Sequence, residues 1–237
     1  MLYAILFDLD LTLGRPVGDM AVAERQGHLY ASVGLPYTAE EIAAAMRRRR
    51  EAVSAGRLPG VVGPQRRRDL LTAYGQTLRL LGYQGDAGEM AHRLYEGYAR
   101  LPFIPYDDAR PTLAALAARG FRLGIVSNHT PVARSTIEAA FGDLVPARQI
   151  LISGEEGVHK PRPTLFRRGA ARLRTPPAQC AFVGDNLEVD AKPAVAAGFG
   201  LGVWVDREGG EDQPLPPGVR RVTRLADLLE MVNICNT

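Results

Sequence analysis

The chain opens on an apolar run that stops abruptly at acid. Leu2-Tyr3-Ala4-Ile5-Leu6-Phe7 leads into Asp8-Leu9-Asp10-Leu11-Thr12-Leu13. A run that short, rich in aliphatic and aromatic residues, predicts a strand buried in a parallel sheet. After Thr12 the pattern changes. Residues 14–19 are turn-like, with Gly14, Pro16 and Gly18. From about Met20 to Leu101 the periodicity is helical and no strand pattern stands out. Val22, Gln26, Leu29, Tyr30 and Val33 share a face that Gly34 can end. Thr38-Ala39-Glu40-Glu41 forms a capping box that opens a second helix through Ile42, Ala45 and Met46. Leu70, Leu71, Tyr74, Leu78 and Leu81 stripe a third helix. Met90, Leu94, Tyr98 and Leu101 mark a fourth. A loop over 55–64, rich in Gly and Pro, precedes the third helix. Four helices of this length predict a small bundle with its own apolar seam.

A different rhythm starts near Asp108. A helix through Leu113, Leu116 and Ala117 ends at Gly120, and the strand Phe121–Val126 runs into Ser127-Asn128. A helix near 131–141 precedes the strand Gln149–Ile152. Pro163 suits the first turn of a helix through Leu165, Phe166, Ala170 and Leu173. Strand Cys180–Val183 closes on Gly184-Asp185, and a helix ends near Gly198. Strand Gly200–Val205 and a last helix over 225–232 complete the pattern. Alternating strands and helices predict an α/β fold with a parallel sheet covered on both faces. The expected architecture is a Rossmann-like parallel-sheet core of residues 1–13 and 106–237. A helical-bundle domain, 14–105, is inserted directly after the first strand.

Composition adds exclusions. No apolar run among the 237 residues is long enough to span a bilayer. The N-terminus lacks the basic start and small-residue cleavage site of a signal peptide. Cys180 and Cys235 are the only cysteines and make neither a disulfide framework nor a CxxC zinc site. A cytoplasmic protein is expected. The net charge of +3 is too small and too diffuse to predict nucleic-acid binding, although it suits an anionic substrate.

The chemistry gathers at the strand ends. Asp8 and Asp10 follow the first strand and Ser127 the second; Lys160 follows the third and Asp185 the fourth. In a parallel sheet these ends share one edge. Two carboxylates as close as Asp8 and Asp10 repel and require a cation or a shared proton. Carboxylates suit a hard cation such as Mg²⁺, and a hydroxyl with an ammonium suits phosphate oxygens.

These motifs together resemble the haloacid dehalogenase-like hydrolase superfamily, in its helical-cap, phosphoglycolate phosphatase-like branch. They stand here as Asp8-Leu9-Asp10-Leu11-Thr12, Ser127-Asn128, Lys160-Pro161 and Gly184-Asp185-Asn186-Leu187-Glu188-Val189-Asp190. The resemblance implies that Asp8 is a nucleophile forming an aspartyl phosphate and Asp10 the general acid and base. It implies Mg²⁺ held by Asp8, the Asp10 backbone carbonyl and Asp185. Ser127, Asn128 and Lys160 match the phosphate-binding positions, with Asn128 and Thr12 expected mainly to hold loops. Lys160 also matches the cation that neutralises Asp8, and Asp190 an acid that orients Lys160 or metal-bound water. Arg162 and Pro193 depart from the usual pattern without touching these groups.

Within the superfamily, dehalogenases lack an acid at the position of Asp10, and phosphonatases need a cap lysine. Residues 13–159 contain no lysine. The expectation is therefore a Mg²⁺-dependent phosphatase acting on a small phosphorylated metabolite, as a monomer or homodimer, with no nucleic-acid or membrane partner. The alternatives are a sugar phosphomutase of the same fold and a non-catalytic binding member. The cap is expected to be mobile and to set substrate choice. Arg57 and His129 are candidate specificity residues. Arg47–Arg50 and Arg66–Arg68 read mainly as a solvated surface.

Overall fold

The structure is a computed structural model that describes residues 1–17, 20–61, 67–209 and 214–236. The chain divides into two compact units, Met1–Gly18 with Pro102–Thr237, and Asp19–Leu101. Strand β1 (Ala4–Phe7) is wholly buried along its length, so its sequence is apolar at every position rather than alternating. A tight turn follows, with Leu13 N–H bonded to Leu9 O at 2.8 Å. Strand β2 (Gly14–Pro16) comes next.

The second unit consists of α1 (Val22–Ser32), α2 (Ala39–Ser54), α3 (Arg67–Leu80) and α4 (Ala87–Tyr98). They pack in sequence, and α1 also meets α4. Thr38 and Glu41 cap α2 as its sequence requires: the Glu41 N–H donates to the Thr38 hydroxyl, and Thr38 N–H donates to the Glu41 carboxylate at 2.8 Å. The arginine run of α2 is partly structural. Arg49 is only 4% exposed and donates to Val61 O, while Arg48 donates to Leu80 O near the end of α3. Gln76 reaches Pro59 O at 2.6 Å and tethers the same loop. Arg57 is exposed in that loop, and Arg66 lies outside the described residues.

The chain returns through β3 (Phe103–Pro105), which pairs antiparallel with β2. The turn-like reading of residues 14–19 therefore needs correction over Gly14–Pro16; Gly18 and Asp19 lie outside the described residues. Three-residue strands show no periodicity, and these two are paired across more than eighty residues of sequence. Gly14 is needed where they meet, because a Cβ there would fall 2.4 Å from Ile104 O. Ribbon β2–β3 belongs to the first unit.

The remaining elements are α5 (Ala109–Ala118), β4 (Arg122–Ser127), α6 (Ala133–Phe141), β5 (Ile150–Ile152) and α7 (Ser153–Glu156). Then come α8 (Pro163–Arg172), β6 (Cys180–Gly184), α9 (Lys192–Ala196), β7 (Leu201–Val205), β8 (Val219–Val222) and α10 (Leu228–Asn236). Six strands form one parallel sheet, ordered β5-β4-β1-β6-β7-β8. Strand β8 carries no sequence signal, since Val219-Arg220-Arg221-Val222 is short and half arginine. Helix α8 presses on β1 so closely that a Cβ on Gly169 would lie 2.5 Å from Leu6 Cδ2. Phe166, Phe182 and Phe199 meet edge-to-face beside them, with the closest pair of ring centres 4.8 Å apart. Among the described residues, no helix is long and apolar enough to cross a membrane.

The strand order reverses beside β1. From β1 the chain goes to β4 and β5, then crosses back to β6 on the other flank. Open α/β sheets bind ligands at such a reversal, beyond the carboxyl ends of the strands.

The turn after β1 stores strain at Leu11. Its φ is 62°, a left-handed value unfavourable for a bulky residue, and its side chain is 41% exposed, so little burial offsets the cost. Leu11→Gly is expected to stabilise the protein by about 1 kcal/mol, raising the thermal midpoint by roughly 2–4 °C. A fall in midpoint would show that the Leu11 side chain contributes more than the strain costs.

Candidate active site

The register of the sheet brings the acidic residues together. Phe7 pairs with Ile125 on β4 and Val183 on β6. Asp8 is thus the first residue beyond the middle strand, and its N–H donates to Val183 O at 2.8 Å. That bond pins the backbone just where the side chain leaves the sheet. Ser127 ends β4, and Asp185 follows the last residue of β6. Ser127 is buried.

Lys160 arrives from the loop after α7. Its Nζ lies 2.5 Å from Asp8 Oδ1 and 2.8 Å from Asp190 Oδ1. The Lys160 and Asp190 side chains are only 2% and 1% exposed. Burial works against the ammonium, but the charges of Asp190 and Asp8 outweigh it and hold its pKa above the usual lysine range. The loop is fixed by Asn128, which uses both ends of its amide. Asn128 Nδ2 donates to Lys160 O at 3.0 Å, and Lys160 N–H donates to Asn128 Oδ1 at 2.9 Å. The Lys160-Pro161 peptide bond is cis.

Asp190 is placed by the turn after β6. Asn186 Oδ1 accepts the N–H groups of Glu188 and Val189, capping a wide π-helical turn over Leu187–Ala191. The Asn186 N–H donates to Asp190 Oδ2 at 3.1 Å. Asp190 then folds back over Gly184, where an added Cβ would meet the Asp190 carboxyl carbon at 2.5 Å. Gly184 is therefore a site residue, required for close approach rather than for its φ. Pro193 stands in the first turn of α9 and does not disturb this arrangement.

Thr12 and Asp185 tie two loops together. Asp185 N–H donates to Thr12 Oγ1 at 2.9 Å, and Trp204 Nε1 donates to Asp185 O at 2.9 Å. Thr12 O accepts from Arg207 Nη2 at 3.0 Å. Arg207 also forks onto Asp108 at 2.9 and 3.2 Å and lies over the Tyr106 ring, 3.9 Å from its centre. Tyr106 N–H in turn donates to Leu13 O. Sequence reasoning placed Gly184 and Asn186 in the fourth motif without giving either a role, and it missed Trp204 and Arg207; Arg207 sits in a loop with no local signal.

Oxygens of Asp8, Asp185 and Asp190 lie within 4.8 Å of one another. Lys160 is the ammonium set among them, so the cluster carries excess negative charge. Burial first, then the charges of Asp8 and Asp190, push the Asp185 pKa up to about 8. Burial likewise pushes Asp190 up to about 6 against the pull of Lys160. A divalent cation relieves this repulsion, and an all-oxygen donor set fits Mg²⁺. Lys160 and Asn186 engage both oxygens of Asp190, whereas Lys160 engages only Oδ1 of Asp8, so Asp185 and Asp8 Oδ2 are better placed to offer an ion.

His129, in the loop after β4, is 9% exposed, and its Nε2 lies 2.9 Å from Asp10 Oδ2. Burial opposes protonation of the imidazole, but the adjacent Asp10 charge and hydrogen bond prevail and raise its pKa. The second oxygen, Asp10 Oδ1, is buried without a hydrogen-bond partner.

Comparison with known proteins bears on the family and the fold. The profile of haloacid dehalogenase-like hydrolases matches residues 3–198. Phosphoserine phosphatase of Thermus thermophilus is 34% identical over 149 residues, covering 62% of this chain and 58% of that protein. Glyceraldehyde 3-phosphate phosphatase of Methanopyrus kandleri is 33% identical over 133 residues, covering 54% and 56%. The chain thus spans somewhat more than half the length of these curated relatives. Among solved structures, the magnesium-bound hydrolase YfnB of Bacillus subtilis superposes with a TM-score of 0.72 at 20% identity, covering 98% of this chain and 100% of that one. A 2-haloacid dehalogenase of Pseudomonas syringae superposes with a TM-score of 0.61 at 21% identity, covering 99% and 100%. At these identities the structural likeness speaks for the fold.

If the acidic cluster is one cation short, Mg²⁺ stabilises the protein through Asp185. The thermal midpoint of the wild type is expected to rise with Mg²⁺, by the equivalent of about 2.7 kcal/mol at a hundredfold excess over Kd. Asp185→Asn should lose that response and be at least as stable as the wild type in EDTA, because the cost of burying an ionisable carboxyl group beside Asp8 and Asp190 is gone. An unchanged Mg²⁺ response in the variant would place the ion elsewhere.

Proposed function

Because this chain belongs to the haloacid dehalogenase-like hydrolase family, we propose that it is a Mg²⁺-dependent phosphatase that hydrolyses a small phosphomonoester through an aspartyl phosphate on Asp8. The observation that carries the reading is the Lys160 ammonium bridging Asp8 and Asp190 in a buried acidic cluster. A carboxylate held beside a fixed cation can approach an anionic phosphate that would otherwise repel it. The phosphatase relatives act on small phosphorylated metabolites by name, and the all-oxygen donor set of the acidic cluster supports the choice of ion.

Asp8 and Asp185, with the Asp10 backbone carbonyl, would hold Mg²⁺, which when bound offsets charge between nucleophile and substrate. An Asp8 oxygen attacks phosphorus, the ester P–O bond breaks, and the leaving oxygen takes a proton from Asp10. Asp10 then takes a proton from the attacking water while the bond from phosphorus to Asp8 breaks. Inorganic phosphate leaves and both carboxyl groups are regenerated. Lys160 and the Ser127 hydroxyl hold the non-bridging phosphate oxygens. Asn128 serves this step through Lys160, whose backbone it clamps. Retention of a carboxylic acid at position 10 favours phosphoryl transfer over dehalogenation, which has no alkoxide to protonate.

Turnover of an aryl phosphate in Mg²⁺, with EDTA as control, tests the reading. Asp8→Asn should lower kcat by about a thousandfold or more while leaving the unfolding transition in place. Near-wild-type activity in that variant would remove Asp8 as nucleophile. A wild type inert toward phosphomonoesters would leave the binding reading.

A further inference from the structure

We propose that His129 is a positioning residue for Asp10, fixing which carboxyl oxygen carries the proton to the leaving group. The inference rests on the phosphatase reading and adds to it a device particular to this chain. Its basis is the asymmetry of the Asp10 carboxyl group. Oδ2 is held at 2.9 Å by His129 Nε2, and Oδ1 is buried and unpartnered. A buried polar atom left without a partner is costly, and such atoms call for a functional explanation. Here the explanation is division of labour. His129 restrains one oxygen, so the carboxyl group cannot spin freely about its Cβ–Cγ bond. The other oxygen keeps its hydrogen-bonding capacity for the departing ester oxygen and later for water.

His129 is itself well fixed by the backbone around it. Its carbonyl accepts from the Gly154 N–H at 3.0 Å and from the Ser153 hydroxyl. Close packing continues at Gly154, where a Cβ would fall 2.9 Å from His129 O. The residue thus joins the loop after β4 to the start of α7. It also follows Asn128 directly, so the residue that clamps Lys160 and the residue that restrains Asp10 are adjacent in sequence. One loop sets both the cation beside the nucleophile and the acid that serves the leaving group.

The role differs from that of a substrate-contacting residue. A specificity residue would change KM for some substrates according to their shape. A residue that positions the acid changes kcat/KM according to how much protonation the leaving group needs. Activated aryl phosphates leave as weakly basic phenolates and need little help, whereas alkyl phosphates leave as strongly basic alkoxides.

The test compares His129→Phe, which keeps bulk without the hydrogen bond, and His129→Gln, whose amide can donate from a position near that of Nε2. Each is assayed with p-nitrophenyl phosphate and with a simple alkyl phosphate, beside wild type and Asp10→Asn. The Mg²⁺-induced thermal shift is measured on all four. For His129→Phe, kcat/KM on the alkyl ester is expected to fall about 10–100-fold, with the aryl ester within about threefold. His129→Gln should recover most of the loss, and the Mg²⁺ shift should be unchanged. Asp10→Asn should show the same leaving-group pattern, only steeper. Equal losses on both esters, or a Gln variant no better than Phe, would overturn the inference while leaving the phosphatase reading intact. A wild type inactive on both esters would overturn the phosphatase reading and this inference with it.

Discussion

The site depends on one buried ammonium. Lys160 is almost completely withdrawn from water, and a lone charge in that position is prohibitively costly. It is tolerated because Asp8 and Asp190 flank it at hydrogen-bonding distance. Those carboxylates are equally dependent on it, since without Lys160 three acids would crowd one pocket. Each partner is therefore held where it is by the expense of burying the others alone. The arrangement still carries excess negative charge, which makes it receptive to a metal cation.

Such a cluster needs a rigid support, and the sheet supplies it. Strand β1 lies in the middle, apolar on both faces, with α8 pressed against it at Gly169. Asp8 leaves the sheet from its most buried strand, beside the reversal in strand order. Loops from distant parts of the chain are then locked by side chains acting on backbone. Asn128 clamps Lys160, Thr12 receives the Asp185 N–H, and Arg207 ties Thr12 to Asp108 and Tyr106. Backbone groups held this way leave the acids free for chemistry.

Particular residues show where local pattern ran out. Arg48 and Arg49 read as a charged surface, yet they satisfy carbonyls of neighbouring segments, and Arg49 is buried. The gain of a buried guanidinium comes from a carbonyl twelve residues away, which helical periodicity cannot register. Strands β2 and β3 were invisible because each is three residues long and each exists only through the other. His129 read as a candidate contact for substrate, and its hydrogen bond to Asp10, 119 positions away, had no local signal.

The sequence alone determined the α/β alternation and the set of acids, hydroxyl and lysine at strand ends. These are local properties: burial fixes periodicity, turn residues fix the breaks, and a parallel sheet sends its strand ends to one edge. What the tertiary structure decided is which atoms meet. That Asp190 rather than Asp185 shares Lys160 with Asp8 follows from a π-helical turn and from the missing Cβ of Gly184. That Arg207 holds Thr12 and His129 holds Asp10 follows from chain crossings that bring residues 195 and 119 positions apart into contact. Such pairings are set by packing of the whole core, and no local stretch of sequence carries them.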